Sequence, residues 1–254
     1  NWKMSKQEMI IIGGGAAGFF TAINIAEKHE DFKVSILEKS SKTLSKVSVS
    51  GGGRCNVTNQ RSAPSELVPF YPRGEKKMYQ VFKQFSSDHM RKWLAERGVE
   101  TISEGDKCVF PLSNRSQTII DCFMQETAKH RIELKKGEGV VNLQREGSQW
   151  LVTTHLTVYK VDAVVFATGS SPSAWKLLAN LGLQVAAPVP SLFTFNIKDP
   201  RIANLPGVSF DQTGVRIVGS KLSEEGPMMI THWGLSGPAI LKLSSIGAID
   251  LHQR

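Results

Sequence analysis

The feature that most constrains this chain is the run Gly13-Gly14-Gly15-Ala16-Ala17-Gly18, set directly behind the apolar stretch Met9-Ile10-Ile11-Ile12. Four consecutive large aliphatic residues suit a strand buried on both faces of a parallel sheet. From Ala16 to Lys28 the apolar positions recur at helical spacing, with Phe19, Phe20, Ile23 and Ala26 on one face. Val34–Leu37 supplies a second strand, so the first forty residues read as a βαβ unit. Within it, Gly13, Gly15 and Gly18 match the G-x-G-x-x-G spacing, and Glu38 follows about 20 residues later. The chemistry of that pattern is specific. Gly13 permits the tight turn, Gly15 lets a pyrophosphate approach the backbone, and Gly18 allows close packing of helix on strand. The N–H groups of Gly15, Ala16, Ala17 and Gly18 at the helix start offer donors and a favourable dipole to phosphate. An acid at position 38 suits the two hydroxyls of an adenosine ribose and disfavours a 2′-phosphate. FAD or NAD is therefore preferred to NADP.

Later segments narrow the reading. Val164-Val165-Phe166-Ala167-Thr168-Gly169 is a second apolar strand ending in small residues, and it follows three or four short β-runs between 139 and 167. Glu146-Gly147-Ser148 reads as a hairpin turn among them. A strand returning from such a meander to the cofactor sheet favours FAD over NAD, with Ala167, Thr168 and Gly169 leaving room for the dinucleotide. Helices are expected at about 75–85, at 88–97 closed by Gly98, from an N-cap at Ser116, and at about 173–181 with Trp175, Leu178 and Leu181 buried. Residues 40–59 read as a long loop, and the prolines at 64, 69 and 72 keep the next stretch irregular. Pro188 and Pro190 mark a boundary between an expected dinucleotide-binding domain, 1–189, and a β-rich region, 190–254. That region carries strands at 193–197, 215–218 and 228–231 and a helix from Ser236.

Ser50-Gly51-Gly52-Gly53-Arg54-Cys55-Asn56-Val57-Thr58-Asn59 is the least ordinary stretch. Consecutive glycines cost chain entropy on folding, and close backbone approach to a ligand would account for them. Arg54 would counter phosphate charge, with Asn56, Thr58 and Asn59 supplying hydrogen bonds. Together with the N-terminal glycine run, Val109-Phe110-Pro111-Leu112-Ser113 and Thr231-His232-Trp233-Gly234-Leu235-Ser236-Gly237-Pro238-Ala239, this block resembles the YhiN/BaiN-like flavoproteins, also described as aminoacetone-oxidase-type enzymes. The resemblance implies an α/β fold of glutathione-reductase type, in which a Rossmann domain with a β-meander binds FAD and carries an inserted β-rich domain. It implies cofactor contacts from Gly13, Gly15, Ala16, Ala17, Gly18, Glu38, Lys39 and Lys46, from Gly51, Gly52, Gly53, Arg54, Cys55, Asn56 and Thr58, and from Val140. The chain departs from the family pattern at Ser45, at Lys107-Cys108 and at Ser170–Ser173, and it ends at Arg254 before the final glycine-rich strand of that family. A fragment lacking a C-terminal part is therefore expected.

The three cysteines, Cys55, Cys108 and Cys122, form no C-x-x-C pair, which argues against a disulfide scaffold, a cysteine zinc site and a reductase dithiol. Ser236 lacks the closing glycine of a nucleophile elbow and is expected to cap the next helix. His232, between a strand and a glycine turn, is the candidate acid or base. The histidines at 29, 89, 130 and 155 show no metal-ligand spacing, and no metal is expected. No apolar run approaches the roughly 20 residues of a membrane span. Lys3 and Lys6 precede an apolar stretch, but its glycines break the pattern of an export signal. The residues ahead of Met4 read as an added remnant, and a cytoplasmic protein is expected. With 31 basic against 23 acidic side chains the formal charge is +8, which favours anionic partners. The leading expectation is an FAD-dependent oxidoreductase acting on a small organic molecule, with O2 or transiently docked NAD(P)H exchanging electrons. The alternatives are a flavin-containing RNA-binding or RNA-modifying protein, against which stands the lack of an aromatic-and-basic recognition motif, and a non-enzymatic dinucleotide-binding module.

Overall fold

The computed structural model describes residues 6–105 and 107–254. Lys3 and Met4 lie outside the described residues. The chain divides into two compact units: residues through Val68 together with Lys76–Val185, and Pro69–Glu75 together with Ala186–Arg254.

In the first unit, β1 (Gln7–Ile12), α1 (Ala16–Lys28) and β2 (Phe32–Glu38) form the βαβ unit, and α1 has the bounds its periodicity predicts. Expected as loop, residues 40–59 instead contain α2 (Ser45–Val49), a 3-10 turn over Ser50–Gly53 and β3 (Thr58–Asn59). Next come α3 (Pro64–Leu67), α4 (Glu75–Gln84), α5 (Ser87–Ala95), β4 (Thr101–Ser103), β5 (Cys108–Pro111) and α6 (Ser116–Lys129). Proline explains α3: Pro64 occupies its first turn, where a missing N–H costs nothing. The remainder is β6 (Glu133–Lys136), the meander β7 (Val140–Glu146), β8 (Gln149–Thr154) and β9 (Val158–Val161), then β10 (Ala163–Phe166) and α7 (Pro172–Asn180).

Strands β10, β1, β2 and β6 lie in that order in one parallel sheet, with Ile10 opposite Val164 and Ser35. Because successive side chains alternate across a strand, β1 feeds two cores. Ile11 packs with Phe19, Ile23, Ile36, Trp93, Ile119 and Phe123 against the helices. Ile10 and Ile12 face the other way, onto Leu143, Val152 and Val161 of the meander. Helices, parallel sheet and meander thus form three layers. The architecture is Rossmann-type α/β.

Two local expectations fail. Ser116 does not cap α6: Arg115 holds that position, and the Ser116 hydroxyl donates to the Ser48 carbonyl (3.0 Å). In α7 the buried side chains are Ala174 and Leu177, whereas Trp175, Leu178 and Leu181 are only half-buried. The helix begins at Pro172, one residue before the expected start.

In the second unit β11 (Phe195–Asn196), β12 (Ser209–Arg216), β13 (Ser223–Thr231) and β14 (Gly234–Ser236) pair antiparallel in the order β11-β14-β13-β12. Helices α8 (Pro238–Ile246) and α9 (Ala248–His252) follow. Ser236 ends β14 instead of capping α8; Gly237, at φ 108°, takes the cap position because its Cβ would lie 2.9 Å from the Pro227 carbonyl oxygen. No helix of the described residues is long and apolar enough to cross a membrane.

Candidate functional site

A cavity of about 530 Å³ opens at the carboxyl ends of β1, β2 and β10. The chain leaves β1 toward β2 on one side and returns as β10 on the other, so the crevice sits where open α/β sheets place their ligands. Gly13, at φ 114°, carries the chain over the sheet edge; its Cβ would stand 2.5 Å from the Ala167 carbonyl oxygen. Gly18 packs against that turn so closely that a Cβ would lie 1.9 Å from the Gly13 carbonyl oxygen. Gly15 differs, because a Cβ there would meet no protein atom within 4 Å. It borders the cavity with Ala16 and Ala17 and begins α1 without a side-chain cap. The first N–H groups of the helix therefore have no side-chain partner at the cavity wall.

Glu38 ends β2 in the cavity wall. Its Oε2 accepts from the Gly14 N–H (2.7 Å), and its Oε1 accepts from the Ser40 N–H (2.8 Å) and hydroxyl (2.9 Å). These bonds fix the carboxylate and leave Oε2, which accepts only one of them, a second lone pair. The Gly14 carbonyl in turn accepts from the Leu44 N–H (2.9 Å), and Leu44 is buried in the left-handed region at φ 55°. Lys39, Lys46, Val140, Ala167, Thr168 and Gly169 also line the cavity, the Lys46 ammonium lying beside Gly169.

Glu138 is a wall residue that sequence reasoning missed. Its carboxylate is buried and accepts from the Thr154 hydroxyl (3.0 Å) and the Tyr159 hydroxyl (2.6 Å). Burial, together with this bond to Glu138, pushes the Tyr159 phenol up. Lys135 donates to the same phenol (3.1 Å) and is itself raised by that bond. No motif announces Glu138; only the fold brings meander and sheet edge together around it.

The glycine-rich loop at 51–58 is not in the walls of this cavity. Gly51, Gly52 and Gly53 have φ of 56°, 68° and 87°, so a left-handed turn requires glycine there irrespective of a ligand. The phosphate-countering role expected of Arg54 meets an obstacle: its guanidinium already pairs with Glu104, bonds Asn114 and covers the Phe110 ring at 3.9 Å. Cys55 is buried, which pushes its thiol up. With its amide turned so that the nitrogen faces them, Asn56 donates to the Val109 and Thr58 carbonyls at 3.2 and 2.8 Å. Thr58 pairs with Val109 in the sheet of β3, β5 and β4.

His232 belongs to the second unit, exposed in the turn between β13 and β14. His130 has the acidic neighbours that its sequence position does not suggest, Glu27 and Glu126. The Arg97 guanidinium lies 2.7 Å from Glu27 and 3.4 Å from Glu126, which makes this an ion-pair network between helices.

Residues 7–252 match the HI0933-like protein Rossmann domain. The chain belongs to the HI0933-like family. It is 27% identical over 253 residues to the 3-dehydro-bile acid delta(4,6)-reductase of Clostridium scindens, covering 96% of this chain and 61% of that protein. It is 25% identical over 252 residues to the ribosomal RNA dihydrouridine synthase of Haemophilus influenzae, covering 94% and 61%, and 26% identical over 256 residues to that of Escherichia coli K12, covering 95% and 61%. It thus spans about three fifths of the length of these HI0933-like relatives. Among solved structures, THI4 of Thermovibrio ammonificans superposes with a TM-score of 0.48 at 15% identity, over 70% of this chain and 64% of that one.

Proposed function

We propose that this chain is the cofactor-holding part of an FAD-dependent oxidoreductase. The observation that carries the reading is the cavity roofed by an uncapped helix start over the open face of Gly15, with a fixed carboxylate at its rim. Gly15, Ala16 and Ala17 would hold the pyrophosphate, with Gly13 and Gly18 shaping the turn beneath it. Glu38 would take the ribose hydroxyls, and Val140, with Lys39 and Glu138 beside it, the adenine end. Lys46 and Ala167–Gly169 would hold the opposite end. The 51–58 loop, with its glycine turn, is assigned to the cofactor by family resemblance alone. A meander packed on the sheet supports FAD over NAD, and the acid at 38 disfavours NADP. When bound, FAD supplies two-electron exchange between an organic substrate and NAD(P)H or O2.

The relatives' names describe one type of bond chemistry. A delta(4,6)-reductase and a dihydrouridine synthase both add hydrogen across an electron-poor carbon–carbon double bond. A reduction of that class on a small organic molecule, with NAD(P)H as the source of the two electrons, is the leading reading. The test is the visible spectrum of the purified protein and the mass of whatever it releases on denaturation. Bound FAD, or tight FAD binding by titration, is expected; a protein that takes up no FAD overturns the reading.

A second reading has its own support. Two of the relatives carry RNA-directed names, and the formal charge is +8. On this reading the reduced base is a uracil in RNA, the alternative against which the lack of an aromatic-and-basic recognition motif counted. Retention of RNA that falls steeply between 50 and 200 mM salt, on the order of a hundredfold or more, together with dihydrouridine formation, would decide for it.

A further inference from the structure

The second unit contains a cavity of its own, about 830 Å³, between the turn Thr231–Gly234 and the segment Asn196–Ala203. The turn is held rigidly. Gly234 has φ 149°, and a Cβ on it would stand 2.1 Å from the Phe195 carbonyl oxygen and 2.6 Å from the Ile197 nitrogen. The Ile197 N–H donates to the Trp233 carbonyl (2.8 Å), and the Thr231 hydroxyl donates to the Gly234 carbonyl (3.2 Å). On this fixed backbone Trp233 is 57% exposed, although an indole gains by burial. A rigid turn that keeps a tryptophan in water presents a flat platform for a ring.

The polar groups around it say what the ring should carry. Asp199 also lines the cavity, but its carboxylate is bound by Arg201 through the backbone N–H (2.9 Å), Nε (3.0 Å) and Nη2 (2.6 Å). Those bonds pull Asp199 down to about 2, so it stays an ionised, matched anion at any working pH. Lys198 and His232 then supply the wall with donors, while Ile197, Ile202 and Ala203 make the rest apolar. We propose that this pocket binds a planar conjugated ring bearing a carbonyl oxygen, stacked on Trp233 and held through that oxygen by Lys198 and His232. That the bound ring is the substrate rests on the oxidoreductase reading above; that it binds does not.

The experiment is an NMR titration of the whole chain, following the Trp233 indole N–H, assigned by its loss in Trp233→Phe. Uridine and a steroid 4-en-3-one are each titrated beside their saturated counterparts, 5,6-dihydrouridine and the steroid 3-ketone. At least one unsaturated probe should shift the indole resonance and bind at least fivefold more tightly than its saturated counterpart. Trp233→Ala, followed through the backbone N–H resonances of Thr231–Gly234, should weaken that binding at least tenfold, and so should Lys198→Ala combined with His232→Ala. A uridine response identifies a nucleobase as the source of the ring, and a steroid response a small hydrophobic ketone. If neither unsaturated probe moves the resonance, or if Trp233→Ala binds as tightly as the parent, the proposal is overturned. The readout needs no flavin, so failure to bind FAD and failure of this pocket are separate results.

Discussion

Gly15 and Gly18 are three residues apart and do opposite work. The space beyond Gly15 is open to the cavity, whereas the space beyond Gly18 is already filled by the Gly13 carbonyl. Gly15→Ala should therefore leave thermal stability nearly unchanged while lowering FAD affinity at least tenfold by titration. Gly18→Ala forces the helix off its strand, an overpacking cost of about 1–3 kcal/mol, visible in chemical denaturation before any ligand is added. Glu38→Ala should reduce FAD affinity roughly ten- to a hundredfold, the loss of a charged hydrogen-bond acceptor worth about 1.5–3 kcal/mol; Glu38→Gln, which retains one acceptor, should fall between. An unaltered isotherm for the alanine variant would remove Glu38 from the site. These residues were legible because a phosphate-binding turn demands fixed glycine spacing and its ribose acid lies a fixed distance on. Glu138 was not, because nothing in its neighbours' periodicity connects it to Thr154 and Tyr159 until the meander folds over it.

At the scale of the element, legibility followed burial. Helix α1 was read to its bounds because one face of it is buried against a sheet. Strand β12 was read only at its last residues, since most of its side chains are exposed and burial imposes no alternation on Ser209–Thr213. What joins elements is equally hard to see in advance. Asp162, between β9 and β10, accepts from the Glu8 N–H at the start of β1 (2.8 Å) and from the Gln149 amide of β8 (2.9 Å). The bond from the Glu8 backbone, then that from Gln149, lower its carboxyl below the usual range. A depressed carboxylate contributes its stability above its unfolded pKa and loses it as the pH falls through the folded value. Stability should thus decline on acidification from about pH 4 downward, and Asp162→Asn should lower stability at pH 7 and flatten that limb of the pH profile. An acid limb of identical slope in the variant would show that the junction is held by other bonds.

For the whole molecule, two compact units and a Rossmann-family match mean that a ligand of one unit acts on that unit's unfolding. FAD at a hundred times its dissociation constant should stabilise the first unit by about 2.7 kcal/mol, seen by calorimetry as an upward shift of the transition in which Trp93 is exposed. A scan unmoved by FAD would contradict the cofactor assignment. The sequence led to the dinucleotide-binding layer but not to the pocket of the second unit, whose walls come from turns with no motif beyond His232 and Trp233. One property of the first unit reaches beyond equilibrium. Met9 pairs with Ala163 across the sheet, and the wall that completes the cavity includes residues 167–177. The ribosome thus delivers the glycine turn long before the strand and helix that close over it. Contacts so distant in sequence form late, and a nascent chain carrying only the first βαβ unit has half a socket. A dinucleotide in this cavity consequently needs β10 and α7 as well as the glycine motif, and a chain cut before Ala163 is expected to bind FAD at least tenfold more weakly by titration.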